Sequence, residues 1–185
     1  VIGLADTVAA SSRQAINDLQ AMHINPIVIS GDHTQAVKRV CDELGITAFH
    51  ASTSPEQKLN LVSQATQAGE VVAMIGDGIN DAAALAKAHL SIAMGSGTDI
   101  AASAANIVLL RSTMGAAVDA IRLSQATMRT VRLNLFWAFA YNVAAIPLAM
   151  AGYLSPVVAA GAMAASSVFV VTNSLRLRRF TSTSD

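Results

Sequence analysis

Between Arg132 and Arg176 the chain carries no charged side chain. A stretch of that length cannot be a solvated surface, and it divides into two apolar runs. Leu133–Ala151 and Val157–Leu175 are each long enough to cross a bilayer, which takes about 20 residues. Gly152-Tyr153-Leu154-Ser155-Pro156 between them reads as a turn. Arg122, Arg129 and Arg132 precede the first run, and Arg176, Arg178 and Arg179 follow the second. The positive-inside rule therefore puts the preceding soluble part and the C-terminus in the cytoplasm and the turn outside. The protein is predicted to be integral to the plasma or inner membrane, with the lipid bilayer as a partner.

Charge spacing before Arg132 is ordinary, so the composition breaks there. The expected organisation is a soluble domain over 1–116 and a connecting helix over 117–132. Two spans at about 133–152 and 156–175 follow, then a polar tail over 176–185. The net charge is zero, which leaves no basic footprint for nucleic acid. Cys41 is the single cysteine, so a disulfide framework or cysteine zinc site cannot be built. It reads as a small buried apolar residue. His23, His33, His50 and His89 lack ligand spacing. The first residues, Val1-Ile2-Gly3, include neither an initiator Met nor a signal peptide, so the start is expected to be internal to a longer protein.

The soluble part alternates strands and helices. Strands are expected at Val1–Ala5, Pro26–Ile29, Thr47–His50, Val71–Ile75, Leu90–Met94 and Asn106–Leu110. Helices are expected over Ser11–Met22, Thr34–Leu44, Pro55 to about Thr66, Ala82–Ala88 and a short stretch after Asp99. That order predicts an α/β fold with a parallel sheet covered on both faces. Ligands of such sheets lie at the carboxyl ends of the strands. Asp6, Ser30, Asp32, Asp77 and Asp81 all fall there, and Lys58 lies one turn into a helix aimed at the same edge.

Gly76-Asp77-Gly78-Ile79-Asn80-Asp81 is the strongest chemical signal. It joins a buried strand to an alanine-rich helix. The glycines let the backbone pass close to a ligand, and the carboxylates are hard oxygen ligands suited to Mg²⁺. Either half alone is ordinary turn and N-cap chemistry; the whole hexapeptide at a strand end points to a metal beside a phosphate.

The spans carry more polarity than an anchor needs. Tyr141 and Asn142 lie mid-span, and Pro147 frees the carbonyl of Val143. Met163 and Ser167 are four apart and share a helix face, with Ser166 adjacent. A thioether suits a monovalent copper ion far better than Mg²⁺ or Ca²⁺. The competing reading is packing: serine and small residues commonly pair membrane helices, and methionine fills space.

Together these residues resemble the heavy-metal-transporting P-type ATPases, in their cuprous-ion-exporting subclass. Gly76–Asp81 followed by Ala82-Ala83-Ala84-Leu85 is similar to the family's phosphorylation-domain signature. Ser30-Gly31-Asp32 resembles its Thr-Gly-Asp, and Pro55-Glu56-Gln57-Lys58 its Pro-x-x-Lys. Tyr141-Asn142 with Pro147, and Met163-x-x-Ser166-Ser167, resemble the signatures of its last two helices. The resemblance covers Val1 to Phe180.

It implies a haloacid-dehalogenase-like, Rossmannoid phosphorylation domain, present in part, followed by a transmembrane hairpin. It implies ATP-driven, Mg²⁺-dependent phosphoryl transfer through an aspartyl phosphate, coupled to export of Cu⁺; silver, equally soft and monovalent, is the second candidate. Asp77 and Asp81 would hold or orient Mg²⁺. Ser30 and Lys58 would contact the phosphoryl group, and Gly31, Asp32 and Asn80 would complete the pocket. Tyr141, Asn142, Met163 and Ser167 would line the copper path. The partners implied are the N-terminal parts of the same pump. The family's Asp-Lys-Thr-Gly-Thr loop, nucleotide-binding domain and Cys-containing helix are not in this sequence, so the isolated chain is expected not to hydrolyse ATP. Ala83 stands where the family usually has proline, Ser30 replaces threonine, and His33 is less usual than asparagine.

Two other readings compete. Val1–Ala5 with Asp6 resembles the nucleophile strand of haloacid-dehalogenase-like phosphatases, which would make a membrane-anchored phosphatase. Against it, Val8 sits where a second acidic residue would act. A truncated, non-catalytic metal-binding membrane protein is the other.

Overall fold

The computed structural model describes residues 8–76, 80–95, 103 and 105–182. The expected strand Val1–Ala5, Asp6, Asp77 and the expected helix after Asp99 (Ser103 apart) lie outside the described residues. The chain forms two compact units, one up to Asp119 and the other from Ala120.

In the first unit, helix α1 (Ala10–Ala21) is followed by β1 (Ile27–Ile29), α2 (Thr34–Leu44), β2 (Ala48–His50) and α3 (Pro55–Gln67). Then come β3 (Ala73–Gly76), α4 (Ala82–Lys87), β4 (Leu90–Met94) and β5 (Ile107–Leu109). Every described strand pair is parallel: β1 with β2, and β3–β4–β5 as a three-stranded sheet. Strand-to-helix crossovers make the sheet parallel, as the alternating pattern predicts.

Helix ends follow local chemistry. α2 stops at Gly45, whose φ of 72° is the left-handed cap that glycine adopts without strain. α3 starts at Ser54, whose hydroxyl accepts from the Gln57 amide while the Gln57 side chain accepts from the Ser54 amide. Pro55 at the first helical position adds a preset φ.

Two apolar clusters hold these elements. Ala15, Ile16 and Leu19 of α1 and Val37 and Cys41 of α2 are buried. The Arg13 guanidinium ties the two helices, donating to the Glu43 carbonyl at 3.0 and 2.6 Å. Val62 of α3, Met74 of β3, and Ala84 and Leu85 of α4 form the second cluster. Each large member contributes about 1.5–3 kcal/mol by leaving water. β4 and β5 are locked where Asn106 accepts from the Ser91 amide and hydroxyl at 2.9 and 3.0 Å, and its own amide donates to Ser91 Oγ.

Cys41 is fully buried, and burial first, then the Asp42 charge, raises its pKa, against a lowering by Lys38. The thiol is therefore neutral at neutral pH and unreactive. Maleimide labelling of the folded chain should be at least about tenfold slower than in denaturant; equal rates would place Cys41 at the surface.

A single helix, α5 (Met114–Met150), continues without interruption through the connecting segment into the first apolar run, its part from Ala120 onward belonging to the second unit. α6 (Pro156–Leu175) follows and leads into a 3-10 helix, Arg176–Arg179. Both are long and apolar enough to cross a membrane, and neither apolar window is buried by protein. Pro147 sits inside α5 and Pro156 opens α6, with Ser155 Oγ accepting from the Val158 amide.

Candidate functional site

In the soluble unit the site is built by α3 and α4. Lys58 and Val62 lie one turn apart on α3, as do Asp81 and Leu85 at the start of α4. Packing Val62 and Leu85 into one cluster sets the two polar side chains above them together. Lys58 Nζ lies 2.8 Å from Asp81 Oδ1, and the side chains are only 13% and 12% exposed. Asp81 occupies the N-cap of α4 but makes no side-chain cap bond, so its carboxylate is committed to Lys58. The other oxygen faces β3: a Cβ at Gly76 would lie 2.8 Å from Asp81 Oδ2. Gly76 thus leaves room for the carboxylate to approach β3 in this orientation.

Ser30 and Asp32 form a separate turn after β1. Ser30 Oγ donates to Asp32 Oδ2 at 2.8 Å and accepts from the Asp32 amide at 3.2 Å. The segment after β2 holds this turn. Ser52 donates its amide to the Asp32 carbonyl and Thr53 donates to the Ser30 carbonyl. Gly31 packs against the Thr53 carbonyl. Asn80 is exposed beside Asp81.

The donor set fits Mg²⁺ as far as it is described. Mg²⁺ usually takes only one or two protein carboxylates and leaves the rest to water and phosphate. Asp81 Oδ2 is an ionisable hard oxygen not engaged by Lys58. Among the described residues no group of three or more His, Cys, Asp or Glu gathers into a metal cage.

In the second unit Tyr141 lies on the less exposed stripe of α5 with Asn134, Ala138 and Ala145. Asn142 is exposed, and its side chain donates to the Ala138 carbonyl at 2.8 Å. On α6, Ser167 Oγ donates to the Met163 carbonyl at 3.1 Å, so these two are joined, and Met163 itself is 60% exposed. Among the described residues no hydrogen bond joins Tyr141 or Asn142 to Met163 or Ser167.

Polar contacts between the helices come from residues the sequence reading passed over. Asn173 Nδ2 donates to Asn134 Oδ1 at 2.7 Å, and Asn134 Nδ2 donates to Ser174 Oγ at 3.1 Å. Trp137 meets Phe169 edge-on at 6.2 Å. Two amides inside a charge-free run were a readable signal, because an amide at the edge of hydrocarbon needs a partner.

Models of haloacid dehalogenase-like hydrolases match residues 1–89 and residues 58–121. The chain is 48% identical over 180 residues to a copper-exporting P-type ATPase of Mycobacterium tuberculosis, covering 97% of this chain and 24% of that protein. It is 47% identical over 179 residues to a cation-transporting P-type ATPase B of Mycobacterium leprae, again 97% of this chain and 24% of the relative. Among solved structures, a zinc-transporting PIB-type ATPase in its E2.Pi state superposes with a TM-score of 0.86 at 34% identity. That match covers 95% of this chain and 29% of the other. The chain thus spans about a quarter of the length of the curated relatives it matches. A parallel α/β unit with a buried lysine–carboxylate pair at a strand end, two membrane-length helices and these alignments agree: the chain belongs to the metal-transporting P-type ATPases, with a haloacid-dehalogenase-like soluble domain.

Proposed function

We propose that the chain is the C-terminal quarter of an ATP-driven pump that moves Cu⁺ out of the cytoplasm. Residues 1–116 are part of its phosphorylation domain, 117–132 a connecting helix, 133–175 its last two transmembrane helices and 176–185 a cytoplasmic tail. The observation that carries this reading is the pairing of Lys58 with Asp81 in a chain that also bears Tyr141-Asn142 and Met163…Ser167 on membrane helices.

Phosphoryl transfer depends mostly on positioning and charge neutralisation. Lys58 supplies a positive charge at the strand edge, and Asp81 fixes its direction. The hydroxyl of Ser30, held by Asp32, is a donor for a phosphoryl oxygen; serine in place of threonine keeps that donor. Gly31, Asp32 and Asn80 would complete the pocket around the phosphoryl group. Asp77 and Asp81 would hold Mg²⁺, which supplies charge neutralisation to the phosphate when bound. ATP and the aspartate that becomes phosphorylated belong to the remainder of the pump. In the membrane, Met163 would offer a soft sulfur to the ion, and Tyr141, Asn142 and Ser167 would offer oxygens. A thioether favours Cu⁺ over harder divalent ions, and silver shares that chemistry.

Two measurements test this. The purified chain should release no phosphate from ATP with Mg²⁺; measurable turnover would show that it holds its own nucleophile, with Asp6 the first to replace. In the full-length pump, Met163→Leu should lower copper-stimulated turnover about tenfold or more, as expected for losing a soft ligand. Phosphorylation by inorganic phosphate should survive, because that chemistry sits in the soluble unit. Full copper-stimulated turnover in Met163→Leu would remove Met163 from the ion path.

A further inference from the structure

From Ala120 to Ser182 the sequence holds six arginines and no aspartate, glutamate or lysine. Five of them, Arg129, Arg132, Arg176, Arg178 and Arg179, are exposed, and among the described residues none of the five forms an ion pair. The contacts Asn134–Asn173 and Trp137–Phe169 join the two helices close to these arginines: Arg132 lies two residues before Asn134 and Arg176 three residues after Asn173. The 3-10 helix has three residues per turn, so Arg176 and Arg179 lie on one face of it. On α5, Gln125, Arg129 and Arg132 share a face at spacings of four and three, and with Met128 they line a groove of about 340 Å³. Guanidinium groups with an amide, next to an apolar methionine at the foot of two membrane helices, match a phosphate with acyl chains attached.

We propose that this arginine girdle is a binding site for the headgroups of anionic phospholipids. Arginine's planar fork takes two phosphate oxygens at once, which a lysine point charge does not. Commitment to lipid over a soluble anion rests on continuity: the girdle adjoins the charge-free spans directly, with Leu133 and Leu175 as the next residues inward. Orienting the chain requires only an excess of positive charge on one side; five exposed guanidinium groups with no carboxylate in the sequence between Ala120 and Ser182 go beyond that. Arg122, two turns earlier on α5, is outside the proposal.

Trp137 is the only tryptophan and lies five residues beyond Arg132, about 7.5 Å along the helix. It reports on the adjoining lipids. The intact chain is reconstituted in equimolar phosphatidylcholine and phosphatidylglycerol vesicles, with one or the other lipid brominated near the headgroup end of its acyl chains. Phosphatidylglycerol is expected to be enriched about fivefold around Trp137, the equivalent of one arginine at a charged surface. The enrichment should shrink as salt rises. Changing all five arginines to glutamine should return quenching to the bulk ratio, with the helical circular dichroism kept. Changing all five to lysine should leave an intermediate enrichment, which keeps the result independent of whether the glutamine variant folds. Millimolar inorganic phosphate should not compete. Equal quenching by the two brominated lipids would overturn the proposal, as would undiminished enrichment in the glutamine variant. Abolition by inorganic phosphate would reassign the girdle to a soluble anion and would equally overturn it.

Discussion

Replacing Asp81 with alanine should destabilise the soluble unit by roughly 3 kcal/mol, because it strands a cation that folding has removed from water. Lys58 is 13% exposed, and among the described residues Asp81 is the carboxylate it contacts, at 2.8 Å. An unpaired ammonium in that position keeps little access to solvent. The companion variant separates this from generic damage. Lys58→Met alone leaves a buried carboxylate and should cost a comparable amount. Lys58→Met with Asp81→Ala removes both charges and should recover more than half of either single loss. Urea unfolding followed through the soluble unit measures all three. If the double variant loses the sum of the two single losses, the pair is not coupled and its contribution to the fold has been overstated. In the pump the same double variant should remain inactive even where it is stable. Stability needs only that the charges match, whereas the proposed chemistry needs the lysine itself.

That contrast marks what was legible in the sequence. Caps and turns are local chemistry, and they were read directly. Thr34–Leu44 has the expected bounds with Gly45 as its stop, and Ser54-Pro55 opens α3 as expected. The strand at Leu90–Met94 stood out because its apolar run ends at a glycine. Lys58 and Asp81 were each singled out, but their mutual bond was not, because they are 23 residues apart and meet only through the packing of α3 against α4. The same holds for Asn134 and Asn173, 39 residues apart. Their spacing carries no periodic signal, and only the hairpin register brings them together. Sequence located the residues proposed for the ion path on their helices. It did not foresee that Asn142 and Ser167 spend their side-chain donors on their own helix, at Ala138 and Met163. In a helix without water, the nearest free carbonyl acceptor is one turn back.

Two glycines should separate fold from chemistry most sharply. At Gly95, just past β4, an added Cβ would collide with the carbonyl oxygen of Leu109 and press on that of Leu110 at 3.1 Å. Both obstructing atoms are backbone of β5 or its continuation, so relief requires moving a strand whose register is fixed by Ser91 and Asn106. Gly95→Ala should therefore cost roughly 3 kcal/mol or more, the upper range for overpacking, and lower the yield of folded protein. At Gly76 the obstacle is a side chain: the new Cβ would lie 2.8 Å from Asp81 Oδ2 and 3.1 Å from Asp81 Cβ. A carboxylate can rotate where a strand cannot, so Gly76→Ala should cost only about 1 kcal/mol. Its rotation, however, turns Oδ1 away from Lys58 and shifts the oxygen proposed to serve Mg²⁺. In the full-length pump Gly76→Ala should lower turnover by about tenfold or more while the protein stays folded, since misplacing a charged group at a phosphoryl site by even 1 Å is costly. Thermal unfolding and phosphate release on the two variants decide the matter. Normal turnover in a well-folded Gly76→Ala would mean that the Asp81 carboxylate is not part of the reacting site.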